Sequence, residues 1–146
     1  MDAPEHDRLC RRIVDAIPDA VVYADREGII RYWNGGSARV FGHASEEAVG
    51  RSLDLIIPEN LRARHWEGYH RVVGTGQTRY GTDLLAVPAL RKDGARISIE
   101  FSIALLADGG RIAGAAAVLR DVTARWTKER ETTARIRELE AKLGAK

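Results

Sequence analysis

The chain has 146 residues, 45% hydrophobic and 30% charged, enough for one domain with an ordinary core and too little for two. Lys plus Arg (23) nearly cancels Asp plus Glu (21), leaving a formal charge of +2 from scattered basic residues, so no nucleic-acid partner is implied. The single cysteine, Cys10, excludes an internal disulfide and a zinc site built from several thiolates, and points to a reducing, cytoplasmic setting.

Residues 5–17 place Leu9, Cys10, Ile13, Ala16 and Ile17 at helical spacing, and Pro18 stops this short amphipathic helix. Residues 20–24 and 29–33 are β-branched and aromatic runs around Asp25-Arg26-Glu27-Gly28, a turn whose glycine suits a positive φ, so they read as a hairpin. Asn34-Gly35-Gly36 breaks the second strand, and residues 37–41 pack as one helical turn before Gly42. Ser45 reads as the N-cap of another short helix, with Glu46 and Glu47 in its first turn and Gly50 closing it.

Residues 59–73 form the longest helical pattern in the middle of the chain, entered after Pro58 and ended by Gly74-Thr75-Gly76. At about 100° per residue, Leu61, His65, Trp66, Gly68, Tyr69, Val72 and Val73 share one arc, while Arg64, Glu67 and Arg71 point away. His65 therefore faces inward and His70 sits at the edge; with His6 and His43 in polar, exposed surroundings, no metal cluster is suggested. Trp33 reads as core and Trp66 as core or pocket wall.

Period-two patterns follow over residues 79–90, 95–106 and 111–120, separated by Arg91-Lys92-Asp93-Gly94 and Ala107-Asp108-Gly109-Gly110. The middle one puts Ile97, Ile99, Phe101, Ile103 and Leu105 on one face and Ser98, Glu100 and Ser102 on the other. From Thr123 the chain is charged and helical in propensity, with Trp126, Thr133, Ile136, Leu139 and Leu143 as a thin apolar stripe. Such a stripe suits either a solvated terminal helix or a parallel dimeric coiled coil. The most apolar stretch, residues 113–119, is far short of the roughly 20 that cross a bilayer, and the acidic opening is unlike a signal peptide, so no membrane partner is expected. No nucleophile elbow, phosphate loop, zinc helix or kinase signature occurs, which argues against an enzyme.

The resulting order, ββαααβββ, is α+β: a five-stranded antiparallel sheet with helices on one face, plus N-terminal and C-terminal amphipathic helices. It resembles the PAS fold over residues 13–125. The residues that carry the resemblance are the hairpin followed by Trp33-Asn34, Gly42, Gly50, Ile57-Pro58, the helix from His65 to Gly76, Arg91-Lys92-Asp93-Gly94, and Arg120-Asp121-Val122-Thr123. The division implied is a cap helix at 1–17, a sensory domain at 18–122 and a signalling helix at 123–146. Asp121 and Thr123 can accept backbone N–H groups where strand becomes helix, the signal exit in this family. No effector follows Lys146, so a homodimer is expected, with Leu9, Ile13, Trp126 and Ile136 in contact and the effector on another chain.

Arg64-His65-Trp66-Glu67-Gly68-Tyr69, followed by Thr75-Gly76, is similar to the haem-bearing helix of rhizobial oxygen-sensor kinases, with His65 at the proximal ligand position. The resemblance implies haem b with iron on His65 and with Tyr69, Arg71 and Arg79 as cofactor-binding residues. Gly68 and the small residues Ala115, Ala116 and Ala117 would leave room for a flat macrocycle. The pattern departs at Leu85, where those kinases place an arginine. The other reading of His65 is a half-buried core histidine bonded to a carbonyl, in a ligand-free or metabolite-binding interaction module. Flavin photochemistry lacks its cysteine between Asn34 and Gly76.

Overall fold

The computed structural model describes residues 1–77 and 85–144. Helix α1 (Ala3–Ala16) starts earlier than its apolar spacing suggests. Asp2 accepts the Glu5 N–H at 2.8 Å and Glu5 accepts the Asp2 N–H at 3.2 Å, a reciprocal cap with a proline in the first turn. Strands β1 (Ala20–Asp25) and β2 (Ile30–Trp33) form the expected hairpin, with Gly28 at φ 76°. Helices α2 (Gly35–Phe41) and α3 (Ser45–Ala48), 3-10 turns at Leu53–Ile56 and Glu59–Leu61, and helix α4 (Arg62–Thr75) follow. The chain then runs through β3 (Leu85–Leu90), β4 (Arg96–Asp108), β5 (Arg111–Asp121) and α5 (Thr123–Gly144).

The sheet is five-stranded in the order β2-β1-β5-β4-β3, every pairing antiparallel. The last strand therefore lies beside the first, from Ala20 opposite Leu119 to Asp25 opposite Gly114, which brings the entry from α1 and the root of α5 onto neighbouring strands. Alternate residues of each strand turn to one face. Ala20, Val22, Ile30, Trp33, Ile97, Ile99 and Leu119 are buried there beneath Phe41 of α2, Ala48 of α3 and Ile56 of the first 3-10 turn.

The structure revises three local expectations and describes part of a fourth. The helix expected over 59–73 is a 3-10 turn and then α4, because Arg62 Nε donates to the Ile57 carbonyl at 3.0 Å and folds the entry back on the preceding turn. The N-cap of α3 is Ala44, not Ser45; its N–H donates to the Glu47 carboxylate at 3.0 Å, so the acid does the capping. His43, read as exposed, keeps only 12% of its side chain accessible and lies edge-on to Trp33 at 6.4 Å, because the left-handed Gly42 turns the chain inward. Of the strand expected over 79–90, Leu85–Leu90 is observed and 79–84 lies outside the described residues.

Candidate functional site

Helix α4 turns a cluster of rings toward the sheet. The Tyr69 hydroxyl donates to the carbonyl of Asp25 at 2.5 Å and lies 3.3 Å from that of Ala24, strutting the helix against β1. Trp66 Nε1 donates to Asp54 Oδ1 at 2.7 Å, and its ring covers buried Gly28 so closely that a Cβ there would sit 2.1 Å from ring carbons. His65 packs against both, edge-on to Trp66 at 4.8 Å and tilted against Tyr69 at 5.7 Å. Its Nδ1 is buried with no hydrogen-bond partner among the described residues. Burial holds the imidazole below its ordinary pKa, the Asp54 charge opposing and His70 adding to the effect, so the ring is neutral near pH 7. A neutral, unpartnered imidazole nitrogen is the form that binds iron or a ligand donor.

The other sequence-derived residues fall in different places. Arg71 is exposed on the far side of α4 and donates to Glu67 at 3.1 Å, so it does not join His65 and Tyr69. Arg79 lies outside the described residues. On β5, Ala117 packs against the core on the same face as Ala115 and Leu119, whereas Ala116 alternates to the other face; two of the three alanines, not all three, line the cup. Asp54 and Gly28 carried no warning in the sequence, because their link to Trp66 depends on how the 3-10 turn and the hairpin meet α4.

At the other end of the sheet, Asp121 Oδ1 accepts the Thr123 N–H at 2.9 Å, and Thr123 Oγ1 accepts the Ser98 N–H at 2.9 Å. The Val122 N–H donates to the Ser98 carbonyl at 2.8 Å. Both side chains thus accept backbone donors where β5 becomes α5, and the junction is laced to β4. Leu9 and Ile13 on α1 and Trp126 and Ile136 on α5 are 39–50% exposed in the single chain, and neither helix has a buried residue. Among the described residues no helix is long and apolar enough to cross a membrane.

A family model described as PAS fold matches residues 14–126. The chain belongs to the PAS family. Among curated proteins, this PAS domain is 36% identical over 121 residues to an uncharacterized protein of Azorhizobium caulinodans, covering 82% of this chain and 16% of that one. It is 31% identical over 133 residues to Sensor protein FixL of Bradyrhizobium diazoefficiens (91% and 25%) and 24% identical over 103 residues to Oxygen sensor protein DosP of Escherichia coli (70% and 13%). The chain thus spans a quarter or less of the length of these relatives. Among solved structures it superposes on a PAS domain from Colwellia psychrerythraea with a TM-score of 0.71 at 23% identity, covering 82% of this chain and 98% of that one. An RNA-binding Light-Oxygen-Voltage receptor matches with a TM-score of 0.71 at 18% identity (92% and 38%). These likenesses establish the fold, and the curated relatives make the chain a sensory PAS domain related to those of sensor proteins.

Proposed function

We propose that this PAS domain is a ligand-responsive signalling module in which the ligand meets His65 beneath α4, with haem b as the group its donor set suits best. The observation that supports the reading is the buried His65 Nδ1 without a partner among the described residues, in a ring that burial keeps neutral. Buried polar atoms in native proteins are rarely left unpaired. Ala115 and Ala117 leave the facing strand low, and Tyr69 and Trp66 fix α4 through their own polar atoms, so His65 is held by packing and its Nδ1 has no partner among the described residues. Haem, when bound, would supply an iron centre for gas binding or redox change. The chain's part is to orient the imidazole and to pass changes in α4 through β1 and β5 to the Asp121–Thr123 junction and α5. On this reading residues 1–17 cap the sensor at 18–122, residues 123–146 carry the signal toward an effector within a cytoplasmic homodimer, and no catalysis is involved.

The test is an absorption spectrum of protein made in cells supplied with a haem precursor, and of purified protein titrated with haem. A Soret band present in the wild type and absent in His65→Ala, with the far-UV circular dichroism unchanged, is expected. Protein that stays colourless through the titration would overturn the haem assignment.

A second reading is a ligand-free dimerisation module. It is favoured by the Tyr69 strut, which already closes α4 against β1, and by the two terminal helices, whose Leu9, Ile13, Trp126 and Ile136 stay exposed in the single chain.

A further inference from the structure

Asp19, the residue before β1, is held in place from two sides. Its carbonyl accepts from Asn34 Nδ2 at 3.1 Å, and a Cβ on Gly36 would come within 2.0 Å of the same oxygen. Its carboxylate accepts two hydrogen bonds from Arg120 on β5, Nη2 at 2.8 Å and Nε at 3.1 Å, the fork geometry that arginine makes with a carboxylate. Arg120 stands directly across the β4–β5 ladder from Glu100, and Glu100 is ion-paired with Arg125 in the first turns of α5. Arg125 also lies 3.8 Å from Glu129 one turn further on. The sequence of charges is negative, positive, negative, positive, negative. It runs from the mouth of α1, across the face of the sheet opposite the cup, to the root of α5. Asp19 and Glu100 are the shielded members, 23% and 24% exposed, while the arginines reach outward.

We infer that Asp19, Arg120, Glu100 and Arg125 form a charge relay that sets the angle of α5 relative to the entry from α1. The hydrogen bonds among Ser98, Asp121 and Thr123 fix where α5 begins, but a hinge at one point leaves the direction of a 22-residue helix free. The Glu100–Arg125 pair supplies a second point of attachment about half a turn along. The Arg120–Asp19 pair then refers that point to the segment that carries α1, so the two terminal helices share one frame. Pairs this exposed are weak and are screened over a Debye length of about 10 Å at 0.1 M salt. A small shift of β5 against β4 is therefore enough to exchange partners and release α5. Glu100, Arg120 and Arg125 act as positioning residues: they touch no ligand in the cup. The inference deepens the proposed route from cup to α5, and it is tested without ligand, so its failure is separate from a failure of the haem assignment.

The experiment places one spin label on the native Cys10 in α1 and one on Lys128→Cys in α5, both exposed positions, with labelled chains diluted in unlabelled protein. The α1–α5 distance distribution is read by pulsed electron paramagnetic resonance. A single narrow distribution is expected in low salt, lost in Glu100→Gln and in Arg125→Gln, lost in high salt, and restored in the charge-exchanged pair Glu100→Arg with Arg125→Glu. Circular dichroism checks that each variant remains folded, and a variant that does not is replaced by the salt series on the wild type. A distribution unchanged by the single substitutions and by salt overturns the relay, as does failure of the exchanged pair to recover it.

Discussion

The side-chain amide of Asn34 donates to the carbonyl oxygen of Val14 at 2.8 Å, joining the end of α1 to the start of α2 across twenty residues of chain. The same amide nitrogen reaches the Asp19 carbonyl at 3.1 Å. Asn34 Oδ1 accepts the Val21 and Ser37 N–H groups, each at 2.8 Å, and the Ser37 hydroxyl at 2.9 Å. Among the described residues, Asn34 and Ser37 are the buried polar ones, 2% and 0% exposed. One amide thus satisfies backbone groups from α1, the linker, β1 and α2. Asn34→Ala strands several of them out of reach of water, which we expect to cost on the order of 3 kcal/mol. Urea unfolding measures it, and a loss below about 1 kcal/mol would show that the network is incidental.

Gly28 and Trp66 give a steric counterpart. Gly28 has a φ of 76°, and a Cβ there would lie 2.1 Å from the Trp66 ring. Gly28→Ala therefore combines backbone strain with overpacking and should destabilise by about 2–4 kcal/mol. Trp66→Phe keeps most of the ring but removes the bond to Asp54, worth about 1–2 kcal/mol. Because Trp66 packs directly on His65, the Phe variant should also change the environment of the His65 ring protons in an NMR spectrum. Equal, small losses for both variants would contradict the close fit of α4 on the hairpin.

Much of the frame was legible in the residues themselves. The glycines of the three hairpin turns, Gly28, Gly94 and Gly109-Gly110, all have positive φ, and the period-two run through Ile97 and Ile99 correctly assigns the buried face of β4. The inward set of α4 also follows from its spacing, since Trp66, Tyr69 and Val73 all meet the body of the domain. What periodicity does not carry is any bond between side chains distant in sequence. Asn34-Gly35-Gly36 reads as a strand breaker, yet Asn34 is the N-cap of α2 and the anchor of α1, and Gly36 is needed because the Asp19 carbonyl occupies the space of a side chain. Arg71 shows the converse limit: the resemblance implies a cofactor-binding role for it, but its helical phase sends it to Glu67 on the solvent side.

Acid should weaken the ligand-free domain. His65 and His43 both have folded pKa values below the ordinary 6.5, each chiefly through burial; for His43 the Glu47 charge opposes and Lys92 and Arg51 add to the lowering. Below that value the unfolded chain binds more protons than the folded one, so stability is complete above it and is lost as pH falls from 6.5 through the folded values. Thermal unfolding between about pH 7.5 and pH 5 should therefore show a falling midpoint, and the slope should shrink in His43→Gln and in His65→Gln. A midpoint independent of pH across that range would mean that neither ring is held neutral by the fold.

Helix α5 has no buried residue along its 22 positions, and Trp126, Ile136, Leu139 and Leu143 are 43–71% exposed. Its internal support consists of exposed pairs such as Arg135 with Glu138 and Lys142 with Glu138, and the Arg130 guanidinium over the Trp126 ring at 4.7 Å. Contacts of this kind contribute about 0.2–0.5 kcal/mol each, too little to hold a helix that buries none of its residues. The apolar stripe is therefore expected to find its cover in a second copy, aided by Leu9 and Ile13 on α1. Sedimentation at micromolar concentration should give the mass of a dimer. Ile136→Glu, which places a charge in the middle of the stripe, should yield monomer and reduce the helical circular dichroism while leaving the tertiary signal of buried Trp33 intact. Monomeric wild type with full helix content would show that α5 stands without a partner.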